Sequence, residues 1–321
     1  MISVPSVYDL PASIAVTMEN LDAVHDIRIG DVEATLHMPR RLPPSSPFPA
    51  IYPAAVADVV AINSKFNHPF HWGLPDPNGS GSWTFLMLVG IELRHADPAA
   101  IIEPSGMQDV EWGEISYEQR LRLRALSQID DWFDLLRTWV EVQTKQYLDH
   151  KSHASPVQYP GETFSSYIEG EWVAKETVRV GDLSRNPATP EQLKLALDRA
   201  GALAEPPLEH VLARDARATF ARRDLRRSAV DIGTATEVVL NRVYVATVSA
   251  DRWSRLSQDR RNLGSLKSAL NELGISFDDA LDLVIDVRNG ATHEGREPSD
   301  EDLESCLEFM EELIAEHGQR Y

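Results

Sequence analysis

Leu281–Glu294 reads LDLVIDVRNGATHE. Leu281, Val284 and Ile285 recur at the spacing of one helical face, and Ser276, followed by Asp278 and Asp279, gives an S-x-x-D start signal. Gly290 falls where the periodicity ends and predicts the stop. A second helix opens at Ser299, and the next residues, Asp300, Glu301 and Asp302, place carboxylates at the positive end of its dipole. The stretch is a helix, a connection and another helix. Arg288, Asn289 and His293 therefore fall at a helix end, where a fixed cation beside a titratable imidazole suits phosphodiester chemistry.

The helical pattern extends upstream. Leu208–Arg223 and Leu225–Val248 carry Ala218, Ala229, Ile232, Ala235, Val239, Leu240 and Val243 on one apolar face. Leu263–Leu273 makes a shorter helix closed by Gly274. These segments predict an all-α bundle of four to five helices over 205–321. Before it, Thr189 is an N-cap and Pro190 a first helical residue, and Glu205-Pro206-Pro207 ends a boundary region that begins near 185.

Residues 1–200 read differently. IRIGDVEATLHMP, from Ile27, alternates apolar and polar residues, and SWTFLMLVGIELR, from Ser82, is the continuous apolar run of a strand buried on both faces. Pro43, Pro44 and Pro47 mark one loop, and Asn78-Gly79 a turn. Ser116–Leu148 is a long helix with Leu121, Leu123, Leu126, Ile129, Trp132, Phe133, Leu136, Trp139 and Val140 along a wide apolar stripe. HKSHASPVQYPGETFSSYIEGEWVAKETVRV then returns to loop and strand, with Pro156 and Pro160 near its start. The fold class is α+β: a mixed, β-leaning N-terminal domain with one long helix, followed by the bundle.

The chain has 321 residues, enough for about two domains, and 43% hydrophobic residues, enough for ordinary cores. No run reaches the roughly 18 apolar residues of a membrane helix, and MISVPSVYDLPASIAVTMENLD lacks the positive start of a leader. A protein of the cytoplasm without membrane contact is expected. One cysteine, Cys306, excludes an internal disulfide framework and reads as a core residue. The net charge of −19 gives no basic footprint and counts against a broad nucleic-acid surface. Arginines nevertheless cluster locally, at Arg214, Arg217, Arg222, Arg223, Arg226 and Arg227, and at Arg252, Arg255, Arg260 and Arg261 with Lys267.

Two H-x-x-H pairs, His68–His71 and His150–His153, lack a cysteine partner and a helical setting, so neither a metal nor another cofactor is expected. Gly79-Ser80-Gly81 is a turn rather than a phosphate cradle, no G-x-S-x-G elbow occurs, and Trp72, Trp83, Trp132, Trp139 and Trp172 read as core or, in an exposed subset, as a recognition face of the N-terminal domain.

Asp215–Val243, DARATFARRDLRRSAVDIGTATEVVLNRV, followed by RNGATH, resembles the HEPN domain family, whose catalytic motif takes the form R-N-x-x-x-H. The resemblance covers the C-terminal third of the chain. It implies a helical bundle that dimerises so that two motifs face one cleft, with Arg288 and His293 the catalytic pair, Asn289 an auxiliary polar residue and Glu237 the supporting acid. Many HEPN proteins are metal-independent endoribonucleases of toxin–antitoxin, abortive-infection and phage-defence systems; others are non-catalytic modules that bind a partner protein or nucleotide. The expected partners are an RNA substrate, a second copy of the helical domain, and an antitoxin or phage-derived trigger at the N-terminal domain, which would restrain the nuclease. The bland alternative pairs Arg288 with Asp286 or Glu294 and leaves His293 as a helix cap. Burial of Ala229–Val243 is expected either in a symmetric dimer interface or in the bundle's own core.

Overall fold

Trp83–His95 lies at the centre of a sheet because its residues are buried on both faces, as its apolar run requires. The computed structural model describes residues 2–62, 66–69, 72–76, 79–95, 116–148, 163–168, 171–176, 186–248, 262–277 and 279–320, with the backbone alone at 2, 163–168 and 171–176. His71, His150 and His153, Asn78, Pro156, Pro160, the Trp172 side chain, Arg252, Arg255, Arg260, Arg261 and Asp278 lie outside those residues or side chains. The chain divides into two units, Met1–Glu205 and Pro206–Tyr321.

In the first unit the strands are β1 (Ile2–Thr17), β2 (Val24–Ile29), β3 (Val32–His37), β4 (Arg40–Arg41), β5 (Ala50–Ile51), β6 (Gly73–Pro75) and β7 (Trp83–His95). A short helix, α1 (Ala57–Ile62), precedes β6. The main sheet is antiparallel with order β1-β7-β3-β2, and β6 pairs with β7 beside the end of β3. Strand β1 sits at an edge, where Pro5 and Pro11 cost no ladder hydrogen bond on the open side. Its register slips between Asp9 and Ile14, around Pro11, as at a β-bulge. The alternating stretch from Ile27 is a hairpin turned at Gly30, whose φ is 59°.

Helix α2 (Tyr117–Thr144) covers this sheet with Leu121, Ile129, Trp132, Phe133, Leu136 and Trp139, which join Ile29, Leu36, Ile91 and Leu93 in one core. Leu126 falls off that face and is 62% exposed. Ser116 caps the helix in a capping box with Gln119, and Lys145 in the left-handed region closes it after Thr144, four residues short of the expected Leu148. A hairpin, β8 (Thr163–Ile168) and β9 (Glu171–Glu176), follows. Thr189 and Pro190 start α3 (Pro190–Gly201), which packs on α2 and β2 within the first unit.

The second unit contains α4 (Leu208–Ala221), α5 (Leu225–Thr247), α6 (Leu263–Glu272), α7 (Asp279–Asn289) and α8 (Asp300–His317). Helix α5 is central and touches the other four. Arg223 at φ 64° breaks the long helical stretch, and Asp224 caps α5 by accepting from the Arg227 amide at 3.3 Å. Ala229, Ile232, Ala235, Val239 and Leu240 are buried against Ala213, Ala216, Leu266, Val284 and Met310 of the same unit. The apolar face over Ala229–Val243 is thus spent on the bundle's own core. Ala218 is half-buried; Ala213 and Ala216 supply the close α4 contact instead. Phe277 lies outside α7, which starts at Asp279, so Ser276 is not its N-cap. Gly274, at φ 79°, ends the α6 turn, and Ser299 caps α8 by accepting from the Asp302 amide at 3.1 Å. Among the described residues no helix is long and apolar enough to cross a membrane.

Candidate functional site

Helix α7 does not stop at Gly290. It widens into a π-helical turn, Gly290–Glu294, closed by a bond from the Gly295 amide to the Gly290 carbonyl, with Gly295 at φ 67°. The stop glycine of the sequence is displaced by five residues for a physical reason. Gly295 supplies the positive φ, whereas Gly290 lies under the Arg296 guanidinium, the flexible end of a half-exposed side chain, with Nε 2.5 Å from where a Cβ would be.

The π turn matters for spacing. On a straight α-helix, residues five apart point about 140° away from each other, which would set Arg288 and His293 on different faces. A turn closed between residues five apart brings them back toward one side. Arg288, Asn289 and His293 accordingly line a single cavity of about 330 Å³. Its other wall is the start of α6, with Asn262, Leu263 and Gly264. The Asn262 side chain caps that helix by accepting from the Ser265 amide at 3.0 Å.

Arg288 is held by α5. Gly233 leaves room for its stem, since a Cβ on Gly233 would sit 2.5 Å from Arg288 Cγ and 3.0 Å from its Cβ. The guanidinium meets Glu237 at 3.7 Å, Nη2 to Oε2, with both side chains about a quarter exposed. This is an ion pair beyond hydrogen-bond length, and Arg288 Nε is buried without a partner. Burial pushes the Glu237 carboxyl above its ordinary range, and the Arg288 charge pulls it part of the way back. The other acids once available to Arg288 are engaged elsewhere: Asp286 pairs with Arg296 at 3.2 Å and Glu294 with Arg296 at 3.6 Å. His293 is exposed at the mouth of the cavity.

Four residues singled out from the sequence are thereby brought together: three line the cavity and the fourth, Glu237, steadies the first of them. No family model, curated protein or solved structure matches the chain. The site is read from its own geometry.

Three contributors went unread in the sequence. Gly233 is an isolated glycine inside a strong helical pattern, a signal of close approach. Gly295 and Arg226 gave no local signal; Arg226 Nη2 reaches the Ala291 carbonyl at 3.1 Å from a different helix. Cys306 is buried as expected, and burial pushes its thiol up to about 12. Trp72, Trp83, Trp132 and Trp139 are core residues. Among the described residues no three His, Cys, Asp or Glu side chains converge to hold a metal.

The first unit has its own cleft, about 650 Å³, lined among others by Asp26, Arg28, Glu33, Arg94 and Asp198. Two of these charges are paired, Asp26 with Arg94 at 2.6 Å and Asp198 with Lys194 at 2.6 Å. His95 lies beside Arg94 in the same lining.

Proposed function

We propose that the helical unit is a metal-independent endoribonuclease of the HEPN type, acting in a defence or toxin system and regulated by the N-terminal unit. The observation that supports this most directly is the convergence of Arg288, Asn289 and His293 on one cavity, with Arg288 left short of partners.

Cleavage of RNA without metal requires a proton to leave the 2′-hydroxyl, charge to be held on the phosphoryl oxygens, and a proton to reach the departing 5′-oxygen. His293 is placed to move a proton at the cavity mouth. Arg288 holds a phosphoryl oxygen with the guanidinium donors that Glu237 leaves free, and Asn289 adds a neutral donor and acceptor. The attack forms the bond from the 2′-oxygen to phosphorus and breaks the bond to the 5′-oxygen, leaving a 2′,3′-cyclic phosphate. In this reading a second copy of the chain supplies the second motif of the cleft. Because Ala229–Val243 is buried within the bundle, that contact would use another surface.

The −19 charge favours a second reading, a non-catalytic module that binds a partner protein or nucleotide. One experiment separates the two: purified protein in EDTA is given tRNA and a mixed single-stranded RNA, beside Arg288→Ala and His293→Ala. Cutting by wild type alone, with cyclic-phosphate ends and with DNA spared, establishes the ribonuclease. Equal inertness of all three proteins, with RNA or nucleotide retained, favours the module. Light scattering at working concentration tests the shared cleft, and a monomer there overturns it.

A further inference from the structure

We infer that Arg226 is a positioning residue: from the first turn of α5 it clamps the π turn that carries His293, and so keeps His293 in the same cavity as Arg288. The inference rests on the ribonuclease reading for its chemistry, while the geometry it concerns stands without it.

A helix end leaves its last carbonyls unpaired, and a widened terminal turn is less tightly determined than an α-turn. Gly290–Glu294 meets this problem with bonds from three directions. Thr292 Oγ1 donates to the Arg288 carbonyl at 2.7 Å, inside the turn. Arg296, just beyond it, lies against Gly290 and returns its amide to the Gly290 carbonyl at 3.0 Å. Both come from the same stretch of chain and would move with it. Arg226 alone among these comes from another helix: Nη2 donates to the Ala291 carbonyl at 3.1 Å and stands about 4.0 Å from where a Gly295 Cβ would be. A cation at the negative end of a helix also complements its dipole.

The Ala291 carbonyl lies between Arg288 and His293 in the chain. Were the turn to relax to ordinary α-geometry, His293 would rotate away from Arg288 by the angle argued above. Arg226 therefore fixes the distance between the two chemical groups without touching the cavity, since it is not among the residues lining it.

The test compares full-length wild type with Arg226→Met and Arg226→Lys. Methionine keeps the stem but removes the donors; lysine restores a donor to Ala291. The first readout is amide hydrogen exchange at Gly295, whose N–H closes the π turn. It should accelerate about tenfold or more in Arg226→Met, the loss of one charge-assisted bond, and recover in Arg226→Lys, while buried α5 amides such as that of Leu240 stay protected. Unchanged protection at Gly295 overturns the proposal whether or not RNA is cut. Exchange that accelerates throughout α5 also overturns it, because Arg226 would then be supporting the bundle rather than the turn.

The second readout is kinetic. Arg226→Met should lower kcat with little change in KM, and leave the salt dependence of RNA binding as in wild type. A raised KM with a salt slope reduced by about one would make Arg226 a phosphate contact and defeat the positioning role. If wild type cuts nothing, the ribonuclease reading fails, and the exchange result still decides the clamp.

Discussion

Two Arg–Glu pairs lie along α5, and they are built in opposite ways. Near its end, Arg242 grips Glu209 with both terminal nitrogens, and Glu209 also accepts the Gln319 amide at 2.8 Å. Glu209 is fully buried, and the three bonds tie the start of α4, the end of α5 and the C-terminus together. One and a half turns earlier, Glu237 meets Arg288 at 3.7 Å, half-open, with Arg288 Nε unanswered. The same two residue types serve once as a closed staple and once as a loose tether. A structural ion pair is saturated within the fold; an arginine meant to meet a substrate oxyanion is steadied but keeps donors in reserve.

The difference can be broken from either side. The largest effect expected is on chemistry: His293→Ala should lower RNA cleavage by about 10²–10⁴-fold, with an unfolding midpoint in urea close to wild type because the imidazole is exposed. Next, Glu209→Ala should cost about 3 kcal/mol in urea unfolding, since it strands the Arg242 charge and the Gln319 amide; partial exposure of Arg242 holds the figure at the low end for such pairs. Acid should reproduce part of that loss. Burial alone would raise the Glu209 carboxyl, but the Arg242 bonds and the backbone donors outweigh it and hold it at about 2. Its folded value is below its unfolded one, about 4.5. The stabilisation is therefore complete above that value and is lost as pH falls toward 2, on the order of 2 kcal/mol. A stability profile equally acid-sensitive in Glu209→Gln would contradict the assignment.

Gly233→Ala should act at the tether. The new methyl collides with the Arg288 stem, at a cost of about 1–2 kcal/mol that the better helix propensity of alanine partly offsets. Activity should fall further than stability does. Smallest in stability is Glu237→Gln. Its carboxyl is raised rather than lowered, so ionised Glu237 detracts from stability above its folded value, and the neutral variant should unfold within about 1 kcal/mol of wild type. Cleavage should nonetheless drop. Equal losses of stability in Glu209→Ala and Glu237→Gln would erase the distinction between staple and tether.

Much of the architecture could be read locally. The apolar run of β7, the stripe of α2, and the caps Thr189 and Ser299 all reflect forces acting within a few residues, and the observed elements follow them. Strand β1 could not be read this way. Pro5 and Pro11 argue against sixteen residues of strand, and the long pairing with β7 overrides them. The same holds at the site. Arg288, Asn289 and His293 stood out by residue type, but periodicity assigned Gly290 the role of Gly295. At the end of α7, Arg296 lies over Gly290 and Arg226 reaches across from α5, contacts that no window of neighbouring residues contains.

Cys306, 1% exposed between α8 and its neighbours and with its thiol held far from ionisation, makes the bundle its own clock. As the one cysteine in the chain, it is inert to thiol reagents while the helices are packed and reacts when they part. The rate at which a chromogenic disulfide consumes it therefore counts openings of the helical unit directly, with no introduced dye, and registers each substitution above on a single scale.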